Sequence, residues 1–413
     1  MEKASYTHTN AGTPSPKDRF DFLLATGVIV ILIAAWILGL QRSESDIQPF
    51  LERVFPMADR FVALSDITYS AWNKDSPDPI GYVGISTAEG YGGELKVVVA
   101  VSLEGRILSS VIFSHRETAS YFDRVQEGDI LSRFVDKAGG DTFIVNQDVD
   151  GVTGATVTSQ ALADAARRAV RIVSIQALSL PVPDEPSPEL QFGWPEIVLI
   201  LFFLSAILLQ RRDVRWKRAL RYSSLVTGLV VIGFLLNKPL NLVIINKFFL
   251  GAWPALETNL YWYILLVGSL LFIFIGGTNT YCNSICPFGA AQEFLGIMGR
   301  GRPPSYRFNI ILKWIQRCLA LVLIALALIY RNPSVNNYEV SGTLFQFIGT
   351  SFHFGLLGAV IIASLFVQRF WCRGICPVRP VADSLQWIQR KVRHPASDRC
   401  FSGKGCRKEK IDC

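Results

Sequence analysis

Residues 150–159 read Asp150-Gly151-Val152-Thr153-Gly154-Ala155-Thr156-Val157-Thr158-Ser159. This small-residue turn runs directly into an Ala-rich segment, Gln160 to Ala177. Its apolar positions Leu162, Ala166, Ala169, Val170 and Val173 recur at helical spacing. Thr158 or Ser159 is expected to be the helix N-cap. Gly154 and Ala155 let the backbone come close to a ligand, and free N–H groups in a first helical turn attract phosphate. Taken alone, such a turn is more often a plain helix cap than a binding site.

The surrounding residues, 44–178, read as a soluble α+β domain. Leu95 to Phe113 is its clearest hairpin, with apolar and β-branched residues on both sides of Glu104-Gly105. Gly81 to Gly93 is glycine-rich and carries Tyr82 and Tyr91, so it could pass close to a flat ligand. Ser114 to Phe122 follows, containing His115, Glu117 and Thr118.

In this setting Asp150, Thr153, Gly154, Ala155 and Thr156 match the D-x-x-[ST]-G-A-T signature in order. The domain resembles the FMN-binding domain of the flavin subunits of the Rnf and Nqr complexes and of the NosR-type proteins. That resemblance implies FMN joined by its phosphate to Thr156 as an ester, with Thr158 the nearest rival acceptor. It also implies a flavin transferase that reads the motif from outside, for which Asp150 would matter. Related domains bring a His-x-Glu-Thr segment to the flavin ring. His115, Glu117 and Thr118 match it, whereas Ala119-Ser120 replaces Pro-Gly.

The 413 residues are 50% hydrophobic and 18% charged, too apolar for a typical soluble protein. The net charge of +7 is modest, and the basic residues cluster beside apolar runs. That suits membrane flanks and gives no sign of a nucleic-acid surface. Residues 1–21 form a polar lead. Residues 22–40 hold an uncharged run, Leu23 to Leu40, read as an uncleaved anchor because it is long for a signal peptide and poorly followed for cleavage. After a proline-studded linker, 179–195, come further apolar runs at Phe192–Leu209, Leu220–Leu236, Leu260–Gly277, Ile310–Tyr330 and Phe352–Phe366. About six transmembrane helices are expected, with Leu240 to Trp253 as a re-entrant or interfacial segment.

Gln210 to Arg218 is the most basic short loop and is assigned to the cytoplasm. Counting from it puts the lead, Gly299–Arg307 and Arg390–Arg393 inside as well, and the 44–178 domain outside. The expected location is therefore the cytoplasmic membrane, multi-pass, with the α+β domain on the periplasmic or outer side.

Within the membrane domain, 196–390, two motifs share the cytoplasmic side: Cys282-Asn283-Ser284-Ile285-Cys286-Pro287 and Cys372-Arg373-Gly374-Ile375-Cys376-Pro377. Four thiolates could hold an iron–sulfur cluster or a zinc ion, or the turns could be structural. A cluster there would lie about 30 Å, one hydrocarbon thickness, from a cofactor on the outer face. Cys318 in the fifth run reads as ordinary packing. Paired C-x-x-x-C-P at span ends resembles the membrane half of NosR, of NapH-type quinol-oxidising subunits and of flavoproteins accompanying reductive dehalogenases. The tail, 391–413, holds Cys400, Cys406 and Cys413 in place of the two full ferredoxin-like motifs of NosR, so the short dehalogenase-associated form is the nearer likeness.

The resemblance implies a membrane-bound electron-transfer flavoprotein. Electrons would come from quinol or a cytoplasmic donor and leave through FMN towards an extracytoplasmic reductase. A redox-sensing regulator, or a maturation factor for an exported metalloenzyme, is the alternative. No P-loop or Rossmann glycine run points to NAD(P)H.

Overall fold

The computed structural model describes residues 16–41, 46–184, 190–210, 216–335 and 338–393. Cys400, Cys406 and Cys413 lie outside these residues, as do the first part of the polar lead and the basic stretch 211–215.

Helix α1 (Pro16–Leu40) is apolar from Phe22 onward and most of it is not buried in the protein. The short helix α2 (Gln48–Val54) comes next. Five strands follow: β1 (Arg60–Ser65), β2 (Thr68–Trp72), β3 (Gly81–Glu89), β4 (Glu94–Val101) and β5 (Ile107–His115). They form one antiparallel meander in the order β1-β2-β3-β4-β5. The expected hairpin is β4–β5. The domain closes with α3 (Ala119–Glu127), a 3₁₀ turn at Ile130–Phe134 and α4 (Thr156–Gln176).

Strand β4 is apolar on successive residues because both faces of the sheet are covered. Leu95, Val97, Val99 and Val101 share a core with α4, while Val98 and Ala100 share one with Leu51 and Val54 of α2. Fully burying each such valine or leucine contributes about 1.5–3 kcal/mol. The alanines of α4 let it lie close on the sheet, and β3 answers with Gly84. A Cβ there would stand 2.7 Å from the Ala169 carbonyl oxygen and 2.8 Å from Val173 Cγ2.

The second half is helical. Its elements are α5 (Trp194–Gln210), α6 (Lys217–Gly228) continued by π-helical turns over Leu229–Leu235, α7 (Leu242–Leu250) and α8 (Leu260–Gly276). After π-helical turns at Tyr281–Ile285 come α9 (Pro287–Met298), α10 (Tyr306–Tyr330), α11 (Ser341–Gln346), α12 (Ser351–Phe366), α13 (Phe370–Gly374) and α14 (Val378–Arg393). Among the described residues three helices are long and apolar enough to cross a membrane: Phe22–Leu40, Arg218–Leu235 and Tyr306–Tyr330. The other three expected runs form shorter apolar helices, Trp194–Leu208, Leu260–Gly276 and Ser351–Phe366. The longest of these rises about 25 Å, less than the ~30 Å hydrocarbon layer. Large apolar side chains such as Trp36, Leu271, Ile311 and Ile362 stand exposed on these helices, as on a lipid-facing surface.

Leu240 to Trp253 takes a definite form, and one expectation changes. Leu240 to Trp253 contains the short helix α7, capped by the Asn241 side chain, with Leu242, Val243, Ile245, Asn246 and Lys247 buried. It lies beneath the sheet domain, where Lys247 Nζ pairs with Glu89 at 2.5 Å. Cys318 is exposed on α10 and takes no part in interior packing, because it faces away from the neighbouring helices.

Candidate functional site

Helix α4 starts earlier than expected. Its N-cap is Ala155, with no side-chain cap, and Thr156 is its first residue. Thr158 and Ser159 are instead buried within the first turn, where packing against the sheet domain claims their hydroxyls. Thr158 donates to Glu117 Oε2 at 3.1 Å, and Ser159 Oγ accepts from the Val152 N–H at 3.3 Å. Thr156 is exposed. An uncapped helix start leaves first-turn N–H groups to an anion.

The turn ahead of α4 is held by two arginines that the sequence pattern did not single out. Gly154 takes φ +81, and a Cβ on it would sit 2.6 Å from Arg124 Nη1. Arg124 also donates to the Thr153 carbonyl at 3.3 Å. Arg133 donates to the carbonyls of Asp150 at 2.5 Å, Gly151 at 3.4 Å and Gly128 at 2.7 Å. Asp150 and Thr153 are exposed beside them. Arg124 and Arg133 come from α3 and the 3₁₀ turn, so only the folded chain brings them here.

Glu117 is buried, at 3% exposure. Its carboxyl accepts from the N–H of Gly92 at 2.5 Å and of Thr118 at 2.9 Å, besides the Thr158 hydroxyl. Burial raises its pKa above the usual carboxylate range, and those hydrogen bonds oppose the rise. Thr118 donates to Ser334 Oγ of the membrane half at 3.5 Å. His115 does not join this group. Its ring stacks on Phe122 with centroids 3.5 Å apart, and burial lowers its pKa. Of the three expected ring-contact residues, two gather around Thr158 and one does not.

A cavity of about 450 Å³ lies between the sheet domain and the membrane half. Gly90, Tyr91, Val157, Lys238, Tyr261 and Trp262 are among its walls. Val157 is the neighbour of Thr156 on α4, and a Cβ on Gly90 would clash with Glu117 Oε2. Aromatic faces, a glycine approach and lysines fit a flat, electron-accepting ring tethered at Thr156.

The four motif cysteines are brought together across two loops. Pro287 opens α9 directly after Cys286, which turns the first loop back on itself. Arg369, on the second loop, donates to the carbonyl of Cys282 at 3.0 Å and also reaches Glu293. Gln316 of α10 donates to the carbonyls of Cys372 at 3.0 Å and Cys376 at 2.7 Å. A Cβ on Gly289 would lie at ordinary contact distance, 3.7 Å, from both Cys286 Cβ and Cys372 Sγ, which places the start of α9 against both loops. Burial raises the pKa of all four thiols, that of Cys282 to about 12, and the charge of Cys372 raises the other three further. A metal centre would reverse this by holding them as thiolates. Among the described residues no three His, Cys, Asp or Glu side chains could hold one metal ion. Four cysteine thiolates are the ligand set of an iron–sulfur cluster or of an all-cysteine zinc site.

Comparison with known proteins finds two domain families in the chain. Residues 90–171 match the family model of the FMN-binding domain, and residues 258–304 and 350–395 each match that of a 4Fe-4S binding domain. The order of the two matched domain types is accompanied by similarity to NirI and NosR over nearly half of the chain. NirI of Paracoccus denitrificans is 28% identical over 213 residues, 45% of this chain and 30% of NirI. The regulatory protein NosR of Pseudomonas aeruginosa is 26% identical over 221 residues, 47% of this chain and 30% of NosR. A component of the proton-translocating ferredoxin:NAD(+) oxidoreductase complex of Clostridium ljungdahlii is 30% identical over 100 residues, 23% of this chain and 54% of that component. The chain thus spans about a third of the NosR-like relatives and about half of the clostridial protein.

Hydrogen bonds connect the sheet domain to the segment beside the first cysteine loop. Tyr91 and Tyr121 of the sheet domain lie with ring centroids 4.9 Å apart. The Tyr91 hydroxyl donates to the Asn237 carbonyl at 3.5 Å, and the Leu240 N–H donates to the hydroxyl of Tyr281 at 2.7 Å. Asn237 and Leu240 are three residues apart, so the two hydroxyls lie within about 15 Å. Tyr281 adjoins Cys282. A second connection runs through Tyr338, which donates to the Ile375 carbonyl at 2.7 Å, and Glu339, which accepts from the Leu242 N–H at 2.9 Å. Both connections run through the segments that follow α6 and α10.

Proposed function

We propose that the chain is a membrane-bound electron-transfer flavoprotein carrying FMN as a phosphoester on Thr156. The observation that supports this most is the exposed Thr156 at the uncapped start of α4, beside a cavity shared with the membrane half. Arg124 would stand against the phosphate. Tyr91, Tyr261 and Trp262 would flank the ring and exclude water, and Glu117 would hold Thr158 and the Gly92 loop in place. Cys282, Cys286, Cys372 and Cys376 would hold the iron–sulfur cluster. A flavin can take two electrons together and release them singly, which suits exchange between quinol and one-electron centres.

In this reading the apolar helices make six spans, the shorter three being extended by the residues around them. The basic segments mark the cytoplasmic side, and the flavin domain stands outside. Quinol or a cytoplasmic donor supplies electrons, an extracytoplasmic reductase receives them, and a flavin transferase loads Thr156. Similarity to NosR, a regulatory protein, favours a redox-sensing role as the second reading.

The test is the protein itself, denatured and precipitated with acid. FMN fluorescence should remain on the polypeptide, and Thr156→Ala should abolish it; retention in that variant sinks the assignment. Reporter fusions after residue 180 should be active outside the cytoplasm and fusions after residue 214 inside.

A further inference from the structure

A second cavity, of about 480 Å³, opens beside the two cysteine loops. Five of its wall residues are cationic: Arg221, Lys313, Arg369, Arg373 and Arg379. One carboxylate, Glu293, faces them, and it is already shared by Arg221 at 2.7 Å and by Arg369. Arg379 is turned in part towards the Cys372 carbonyl, at 3.4 Å. Five cationic side chains thus face one carboxylate in this concave space; Arg369, Arg373 and Arg379 also act on Cys372, whose thiolate would offset part of that charge, while Arg221 and Lys313 stand on other elements. Gathering like charges in a partly desolvated place is unfavourable unless an anion shares it.

The rest of the wall states the chemistry of that anion. Asn283, Asn309, Gln316 and Gln368 add amide groups, and Ile297 is the one aliphatic wall residue. An apolar ring such as a quinone would find little to bury there. A group with several oxygens, ringed by guanidinium and amide donors, would satisfy the site. The position is also informative. Asn309 and Lys313 lie near the start of α10, among Ile311, Trp314 and Ile315, which are exposed towards lipid. Arg221 is near the start of α6, and Ile297 is near the end of α9. Helix ends, an exposed tryptophan and adjoining basic segments are the features of a membrane surface, where lipid phosphates lie.

We propose that this cavity is a binding site for a phosphate-bearing ligand, seated by Lys313 and Arg373 beside the second cysteine loop. The ligand is either the headgroup of an anionic phospholipid or a soluble phosphate compound. The proposal does not depend on how the flavin is attached.

The experiment uses the full chain, purified in detergent and stripped of lipid. Binding is measured with cardiolipin, with phosphatidylcholine as the uncharged-headgroup control, and with ATP and inorganic phosphate as the soluble arm. Cardiolipin should bind and raise the melting temperature while phosphatidylcholine does not, and competition by ATP would assign the site to soluble phosphates instead. The variant Lys313→Gln/Arg373→Gln should weaken binding at least tenfold, and Lys313→Arg should retain it. Bound phosphorus counted on wild-type protein before and after delipidation, less the phosphorus of its FMN, gives a readout that needs no variant. Binding of neither cardiolipin nor ATP nor phosphate, or equal binding by the double variant, would overturn the proposal.

Discussion

The two halves hold their cofactor residues by different means. In the sheet domain a single stretch supplies the turn, the exposed Thr156 and the buried Thr158, and Glu117 secures it from one neighbouring loop. In the membrane half the four cysteines come from loops that are distant in sequence; Arg369 bridges the second loop to the Cys282 carbonyl, while Gln316 holds the carbonyls of Cys372 and Cys376 within the second loop. A site built on one helix start should tolerate the loss of a neighbour. A site built by convergence should fail when its clamp is cut.

The largest expected effect is therefore at Arg369. Its guanidinium reaches the carbonyls of Cys282 and Asn283 as well as Glu293, and its side chain is only 13% exposed. Arg369→Ala removes one of the two cations that share Glu293 and the donor to two carbonyls, which costs about 3 kcal/mol, the low end for a buried pair because Arg221 still holds the carboxylate. The protein should lose iron and acid-labile sulfide while FMN remains on Thr156. Cys372→Ser should also remove both iron and sulfide, with less loss of stability. Iron retained in Arg369→Ala would mean that the loops stay together without the clamp, and the contrast between the halves would weaken.

Next in size is Glu117→Ala. It leaves the N–H groups of Gly92 and Thr118 and the Thr158 hydroxyl without their acceptor, at about 1–3 kcal/mol for a buried group left unpaired. Melting of the sheet domain, followed by flavin fluorescence, should fall while the iron content holds. If melting is unchanged, Glu117 is not what fixes the loop to α4.

What could be read from the chain divides along the same line. The helix of α4, the β4–β5 hairpin and the apolar runs follow from periodicity within single segments. The start of α4 did not, because a buried hydroxyl and a capping hydroxyl look alike in sequence; contact between Thr158 and Glu117 decides between them. Arg124, Arg133 and Arg369 were illegible for a related reason, since an arginine in a polar stretch gives no sign of the carbonyl it will meet. The path of Asn237–Leu242 and of the segment around Tyr338 was equally hidden. Polar atoms there are satisfied by partners in other elements, including Tyr91, Tyr281 and Ile375.

A smaller effect is expected from pH. Burial raises Glu117, so the folded protein keeps a proton that the unfolded chain has already released. Stability from this group is present below the ordinary carboxylate value, about 4.3, and is lost as pH rises through the raised folded-state value. Glu117→Gln can keep both backbone contacts through its amide oxygen and cannot titrate. The difference in melting temperature between wild type and Glu117→Gln should therefore move in favour of the variant as pH rises across that window. A difference that stays constant from pH 4 to 8 would show that Glu117 is not held protonated by the fold.

The smallest effect concerns Thr158, the rival acceptor. Its hydroxyl is buried at 1% exposure and donates to Glu117, so a transferase working from outside could not reach it without opening the first turn of α4. Thr156 needs no such opening. Thr158→Ala should remove one hydrogen bond, about 1 kcal/mol, and leave covalent flavin in place with a slightly lower melting temperature. Fluorescence on the acid-precipitated polypeptide distinguishes the two residues directly. The reverse pattern, with flavin lost in Thr158→Ala and kept in Thr156→Ala, would require the first turn to open during loading. The sheet domain's site would then no longer be the simpler of the two.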